Sequence, residues 1–187
     1  MAKPLVNPNS ARVVSSSEKY LTFTLGSETY ALPVLKVREI IQLVPMTQVP
    51  GMPPHVMGVI NLRGSVVPIL DLRAKFRVST ETYGDRACII VVQVPASSGG
   101  RAFLGAIVDT VEEVVSLHSQ DIEPPPDFGG TPDTRYILGV CTSGGSVKTL
   151  LDVEKIFVED VTQALPAAEK TDRLGSGPVV TLLPESH

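Results

Sequence analysis

The chain has 187 residues, 43% of them hydrophobic and 19% charged, with 16 basic against 20 acidic side chains and a net charge of −4. That length buries one sizeable core or two small ones, and the composition excludes disorder throughout. An acidic balance with 5% aromatic residues and no Trp offers neither a positive field nor stacking platforms, which argues against a nucleic-acid partner. No apolar run approaches the roughly 18 residues that span a bilayer, and Met1 to Ser17 lacks a signal-like apolar segment, so a cytosolic chain without membrane insertion is expected.

The first seventeen residues are polar, Ser-rich and aperiodic, and a mobile arm is expected there. From Tyr20 onwards short runs rich in Val, Ile and Thr are separated by Gly and Pro, a strand pattern. "YLTFTLGSETYALPV" alternates about a turn at Gly26 to Glu28 and predicts a hairpin. Between Val34 and Val44 the apolar spacing fits a helix as well as a strand; the β-branched residues favour a bent strand after a short turn. "PGMPPHVM", Pro50 to Met57, predicts a loop or one tight helical turn. "GVINL" and "SVVPILDL" predict a second hairpin turning at Arg63-Gly64, where the glycine takes the positive φ. Pro68 cannot donate to a ladder, so its position should be an edge or a bulge.

"RACIIVVQV" reads as a further strand, closed by a loop from Pro95 to Arg101. Phe103 to Leu117 is again ambiguous on period, and its valines favour an extended segment. Ile122 to Thr134 is a proline-glycine loop, "YILGVCT" and "SVKTLLDV" predict a last hairpin, and "EKIFVEDV" predicts one or two helical turns. Beyond Val161 the polar sequence predicts a flexible tail, with one apolar patch, "VVTLL", between Pro178 and Pro184.

The chain aligns on itself. Gly58 to Phe76, "GVINLRGSVVPILDLRAKF", lies without gaps over Gly139 to Phe157, "GVCTSGGSVKTLLDVEKIF", with eight of nineteen positions identical. A weaker match sets "YALPVLKVREII" over "LGAIVDTVEEVV", pairing Val37 with Val111 and Glu39 with Glu113. Five short strands per half suit a small closed barrel, so the expected fold is mainly β: two similar barrels packed side by side with a groove between them, and short helical turns. Gly64 and Gly145, Leu70 and Leu151, and Phe76 and Phe157 recur, as turn and core positions must. Asn61, Leu62 and Arg63 do not: the second copy has Thr142, Ser143 and Gly144, so the turn can be built without an arginine.

Reaction chemistry finds little support. "GVCTSGGSVKT" misses a phosphate loop because Gly145 replaces the lysine and a strand follows instead of a helix. Cys88 and Cys141 lie in apolar runs without metal-ligand spacing and read as buried small hydrophobes. His55, His118 and His187 read as solvated loop residues, leaving no base for a nucleophile. Glu112 and Glu113 are adjacent, so on a strand they face opposite ways and cannot act on one bond. Asp71 and Asp152 end their strands in both copies and suit capping of the following turn. No metal set is visible. What remains is a surface, on which Glu39 and Arg63 are either two unrelated solvated charges or a contact.

"YLTFTLGSETYALPVLKVREII", "VMGVINLRGSVVPILDLRAKF", "IEPPP" and "YILGVCTSGGSVKTLLDVEKIF" together resemble the CheW-type coupling proteins of bacterial chemotaxis, over roughly Glu18 to Asp160. The resemblance implies two intertwined SH3-like barrels, each of five antiparallel strands, over residues 18–160, without enzymatic activity or cofactor. It implies an adaptor in the cytoplasm, recruited to receptor arrays, that joins the cytoplasmic tips of chemoreceptors to the regulatory domain of the chemotaxis histidine kinase. By the same resemblance Glu39 and Arg63 match a charged pair needed for coupling, and Asn61, Leu62 and Gly64 match the rest of that hairpin. The receptor groove would involve Val37, Ile41 and Val44. The alternative is a barrel module that binds an oligonucleotide or small ligand in the inter-barrel groove; a hydrolase using Cys141 ranks below both.

Overall fold

The computed structural model describes residues 17–78, 82–96, 99–126 and 132–157. The expected N-terminal arm, apart from Ser17, and the expected tail lie outside these residues. In the first half of the chain come β1 (Ser17–Leu25), β2 (Glu28–Pro33), a single 3-10 turn (Val34–Lys36), β3 (Val37–Gln42), β4 (Val56–Leu62), β5 (Ser65–Asp71) and the short helix α1 (Leu72–Phe76). In the second come β6 (Cys88–Pro95), β7 (Arg101–Val108), β8 (Thr110–His118), β9 (Ile137–Ser143) and β10 (Ser146–Leu151), then a helical turn at 153–157. Both ambiguous valine-rich segments are extended, and each half repeats the same order. Asp71 and Asp152 cap the turns that follow them: their Oδ1 atoms accept from the amides of Ala74 and Lys155.

The halves are not the barrels. The strands form two five-stranded sheets, ordered β8-β1-β2-β10-β9 and β3-β6-β7-β5-β4. Each sheet therefore takes the first hairpin of one half and the last three strands of the other. The exchange runs through two short connections: Val34–Lys36 and the lone Asp109 each deliver the chain directly from one sheet into the other. The exchange also corrects the all-antiparallel expectation. β2 runs parallel to β10 and β5 parallel to β7, while every other pairing is antiparallel. A parallel pair needs a long connection, and here the rest of the molecule supplies it.

Strand neighbours in sequence serve different cores, which is why the strands read as continuous apolar runs. Ile60, Val67, Ile69, Ile89, Val91 and Ile107 fill the barrel closed by β3 to β7, the first barrel. Tyr20, Ala31, Leu117, Cys141 and Leu150 fill the second. Between the barrels lies the largest cluster, in which Leu21, Phe23, Leu25 and Leu32 meet Leu70, Ile90, Val92, Leu104 and Leu151. Each such buried aliphatic side chain contributes about 1.5–3 kcal/mol relative to exposure. The expected inter-barrel groove is thus largely core. Pro68 lies just before the stretch Ile69–Asp71 that pairs with β7, so there β5 has only β4 for a ladder partner.

Closure of each barrel explains the glycine that opens each copy of the repeat. Thr47 exchanges both backbone hydrogen bonds with Val59 at 2.9 Å, and Glu123 does the same with Val140 at 2.8 and 2.9 Å. These bridges tie the chain after β3 to β4, and the chain after β8 to β9. A Cβ on Gly58 would lie 2.3 Å from the Thr47 carbonyl oxygen, and one on Gly139 would lie 2.6 Å from that of Glu123. Only glycine lets the closing segment pass.

Candidate functional site

Closure brings β3 and the β4–β5 hairpin together although they belong to opposite edges of the open sheet order. There the Arg63 Nη2 donates to Glu39 Oε2 at 3.0 Å. The two charges expected to be either unrelated or a contact are an ion pair. It is asymmetric: the Glu39 side chain is 23% exposed and that of Arg63 78%. Glu39 orients the guanidinium while most of its fork of donors still faces solvent.

The turn is stranger than its sequence implied. Arg63 itself takes a left-handed backbone, φ 51°, followed by Gly64 at φ 86°; in the second barrel Gly144 and Gly145 occupy the same two positions at φ 62° and 78°. This is the tight two-residue hairpin turn that needs positive φ twice, not at the glycine alone. An arginine there is held at a cost that its glycine counterpart avoids. Asn61 supports the turn from below, its Oδ1 accepting from the Gly64 amide at 2.9 Å. Leu62 is half-buried against the first-barrel core.

A bulge in β3 sets which side chains accompany the pair. The register slips between Val37, opposite Val92, and Glu39, opposite Val91. Val37 therefore packs against the inter-barrel core, whereas Ile41 packs into the first barrel. Both are half-buried and support the site from within. Val44 is 40% exposed, and so is its neighbourhood: Ile40 at 44% and Leu43 at 37%. Ile40 shares the exposed face of β3 with Arg38 and Gln42, the face on which plain alternation over Val37–Gln42 places it.

The second barrel has no such pair. Glu113 stands where Glu39 does, but Gly144 replaces the arginine. Its hairpin tip is tied internally instead: Lys148, buried inside the strand, donates to the Ser143 carbonyl at 3.1 Å and the Ser146 hydroxyl at 3.3 Å.

Other reactive groups stand apart. Burial pushes the thiols of Cys88 and Cys141 up, Lys148 only partly opposing this at Cys141. His118 caps a 3-10 turn with Asp121, whose carboxyl is held below its ordinary range mainly by the His118 amide. His55, expected to be solvated, is half-buried, its carbonyl accepting from the Asp71 amide; His187 lies outside the described residues. Glu112 and Glu113 are both exposed, the latter held by its backbone to the Thr22 hydroxyl. Among the described residues no group of three or more His, Cys, Asp or Glu is placed to hold a metal ion, and no helix is long and apolar enough to cross a membrane.

The model of the family described as the CheW-like domain matches residues 19–161. The chemotaxis protein CheW of Klebsiella aerogenes is 37% identical over 140 residues, covering 75% of this chain and 81% of that protein. CheW of Bacillus subtilis is 32% identical over 152 residues, 81% of this chain and 94% of the relative. Among solved structures, the scaffolding protein TtCheW from Thermoanaerobacter tengcongensis superposes with a TM-score of 0.66 at 30% identity, over 74% of this chain and 86% of that one.

Proposed function

This chain belongs to the CheW-like domain family, and on that premise we propose that it is a non-enzymatic cytoplasmic adaptor that couples chemoreceptor tips to the regulatory domain of a chemotaxis histidine kinase. The observation that carries the reading is Arg63, an exposed arginine kept in a left-handed conformation and aimed by Glu39. Its counterpart in the second barrel is a glycine, so the fold does not require it. Strain retained at an exposed residue that the fold does not require supports a role for that residue in contact; Arg77, the other described non-glycine residue at positive φ, has the structural task of ending α1. Ile40, Leu43 and Val44 supply apolar area near the pair on the same strand and its continuation, the combination of aliphatic surface and arginine that suits a protein interface.

Such an adaptor does not need tight binding at either face. Two contacts of roughly −8 kcal/mol each, micromolar alone, hold an extended assembly once the first raises the effective concentration for the second. Receptor-containing membranes, kinase and purified adaptor together should raise kinase autophosphorylation above the level without adaptor. No increase with any receptor and kinase encoded beside it would sink the proposal.

A further inference from the structure

One aliphatic surface is left unexplained by the Glu39–Arg63 site. Leu35, at the crossover from β2 into β3, is 93% exposed, and Leu138 on β9 is 45% exposed. Leu138 borders a cavity of about 220 Å³ whose wall also holds Pro33, Leu151 and Val153 and whose rim carries Asp152 and the ion-paired Lys36 and Glu154; Leu35 stands in the chain between the lining residues Pro33 and Lys36. The volume suits an aliphatic side chain or two and is below that of ordinary small-ligand pockets, about 300–1,000 Å³.

We infer that this cavity is the docking site of the chain's own segment Val179–Leu183. Two observations point to it. The described chain ends at Phe157, on the helical turn whose Val153 and Glu154 form the cavity wall, so the remaining residues start beside it. Among those residues "VVTLL", with four large aliphatic side chains in five about Thr181, is the stretch richest in them; it is set between Pro178 and Pro184, is free of charge, and lies beyond the family match that stops at residue 161. Residues 158–178 reach up to roughly 70 Å, far more than the distance needs. A tether of that length supplies an effective concentration of about a millimolar, so a segment whose free affinity is only about 0.1 mM is docked in about nine molecules of ten. The inference is independent of the adaptor reading.

The test uses the full chain with labelled Leu and Val methyl groups. Leu182→Asp should move the signals of Leu35, Leu138 and Val153, leave Val67 in the first-barrel core unmoved, and raise the access of a soluble paramagnet to Leu35 about tenfold. Leu35→Asp should in turn move the Val179–Leu183 signals; Leu35 is 93% exposed, so the fold tolerates the change. Unmoved Leu35 and Leu138 signals in the Leu182→Asp chain would overturn the inference. So would shifts on another face, or shifts that vanish on dilution, which would assign the cavity to a second copy's tail.

Discussion

Arg63 allows the fold's demand and the site's demand to be measured separately. Its side chain is 78% exposed and its ion pair with Glu39 is partly solvated, so the pair contributes about 0.2–1 kcal/mol. Its left-handed backbone, φ 51°, costs about 1–2 kcal/mol in an L-residue. Arg63→Ala loses the pair and keeps the strain, for a net loss of about 0.5 kcal/mol. Arg63→Gly loses the same pair but relieves the strain, offset in part by the roughly 0.5–1 kcal/mol of extra freedom glycine gives the unfolded chain. The glycine variant should therefore exceed the alanine variant by about 0.5–1 kcal/mol and lie close to the parent. Urea unfolding at unchanged m-value reads this difference. Binding to receptor or kinase should fall in both by on the order of 2 kcal/mol, about thirtyfold. A glycine variant less stable than the alanine variant would refute the strain argument. Binding equal to the parent in both would remove Arg63 from the interface.

Leu70 is fully buried, and Leu70→Ala should cost about 2–5 kcal/mol of stability, read as a lowered urea midpoint; a change below 1 kcal/mol would mean that the inter-barrel core is not close-packed. Gly58→Ala drives a Cβ to 2.3 Å from the Thr47 carbonyl at a φ of 135°, and should cost about 3 kcal/mol or more and release the Thr47 and Val59 amides to hydrogen exchange. Tyr20 has its pKa pushed up to about 12, first by burial and then by its hydrogen bond to Glu18. Below the ordinary value near 10 neither state ionises and its contribution is complete; between there and pH 12 only the unfolded chain ionises, so about 2–3 kcal/mol is lost as pH rises. Tyr20→Phe should abolish that share of the alkaline decline, measured as the change in urea midpoint between pH 9 and 12, and an identical decline in both proteins would rule it out.

Much of the architecture is written in residues close together in the chain. Period and turn chemistry placed the hairpins, since alternation and a Gly-containing turn act over a few residues. The self-alignment isolated Gly58 with Gly139 and Asp71 with Asp152, and each pair has the same local task in both barrels: letting a closing segment pass, and capping a turn. The alignment also marked Arg63 as a departure, and the motif around it pointed to the family. Other features depend on partners distant in sequence. The hairpin exchange follows from two crossovers whose destination is set by which apolar faces meet, so a repeat of halves does not become a pair of barrels. The bulge between Val37 and Glu39 exists only against β6, and it decides that Val37 supports the inter-barrel core while Glu39 turns to the hairpin. Arg63's left-handed backbone and its contact with Glu39 likewise arise when closure joins two sheet edges. Sequence by itself determined the elements and singled out the unusual turn; tertiary packing alone decided which elements share a barrel and what that arginine faces, because both depend on long-range burial that no local pattern encodes.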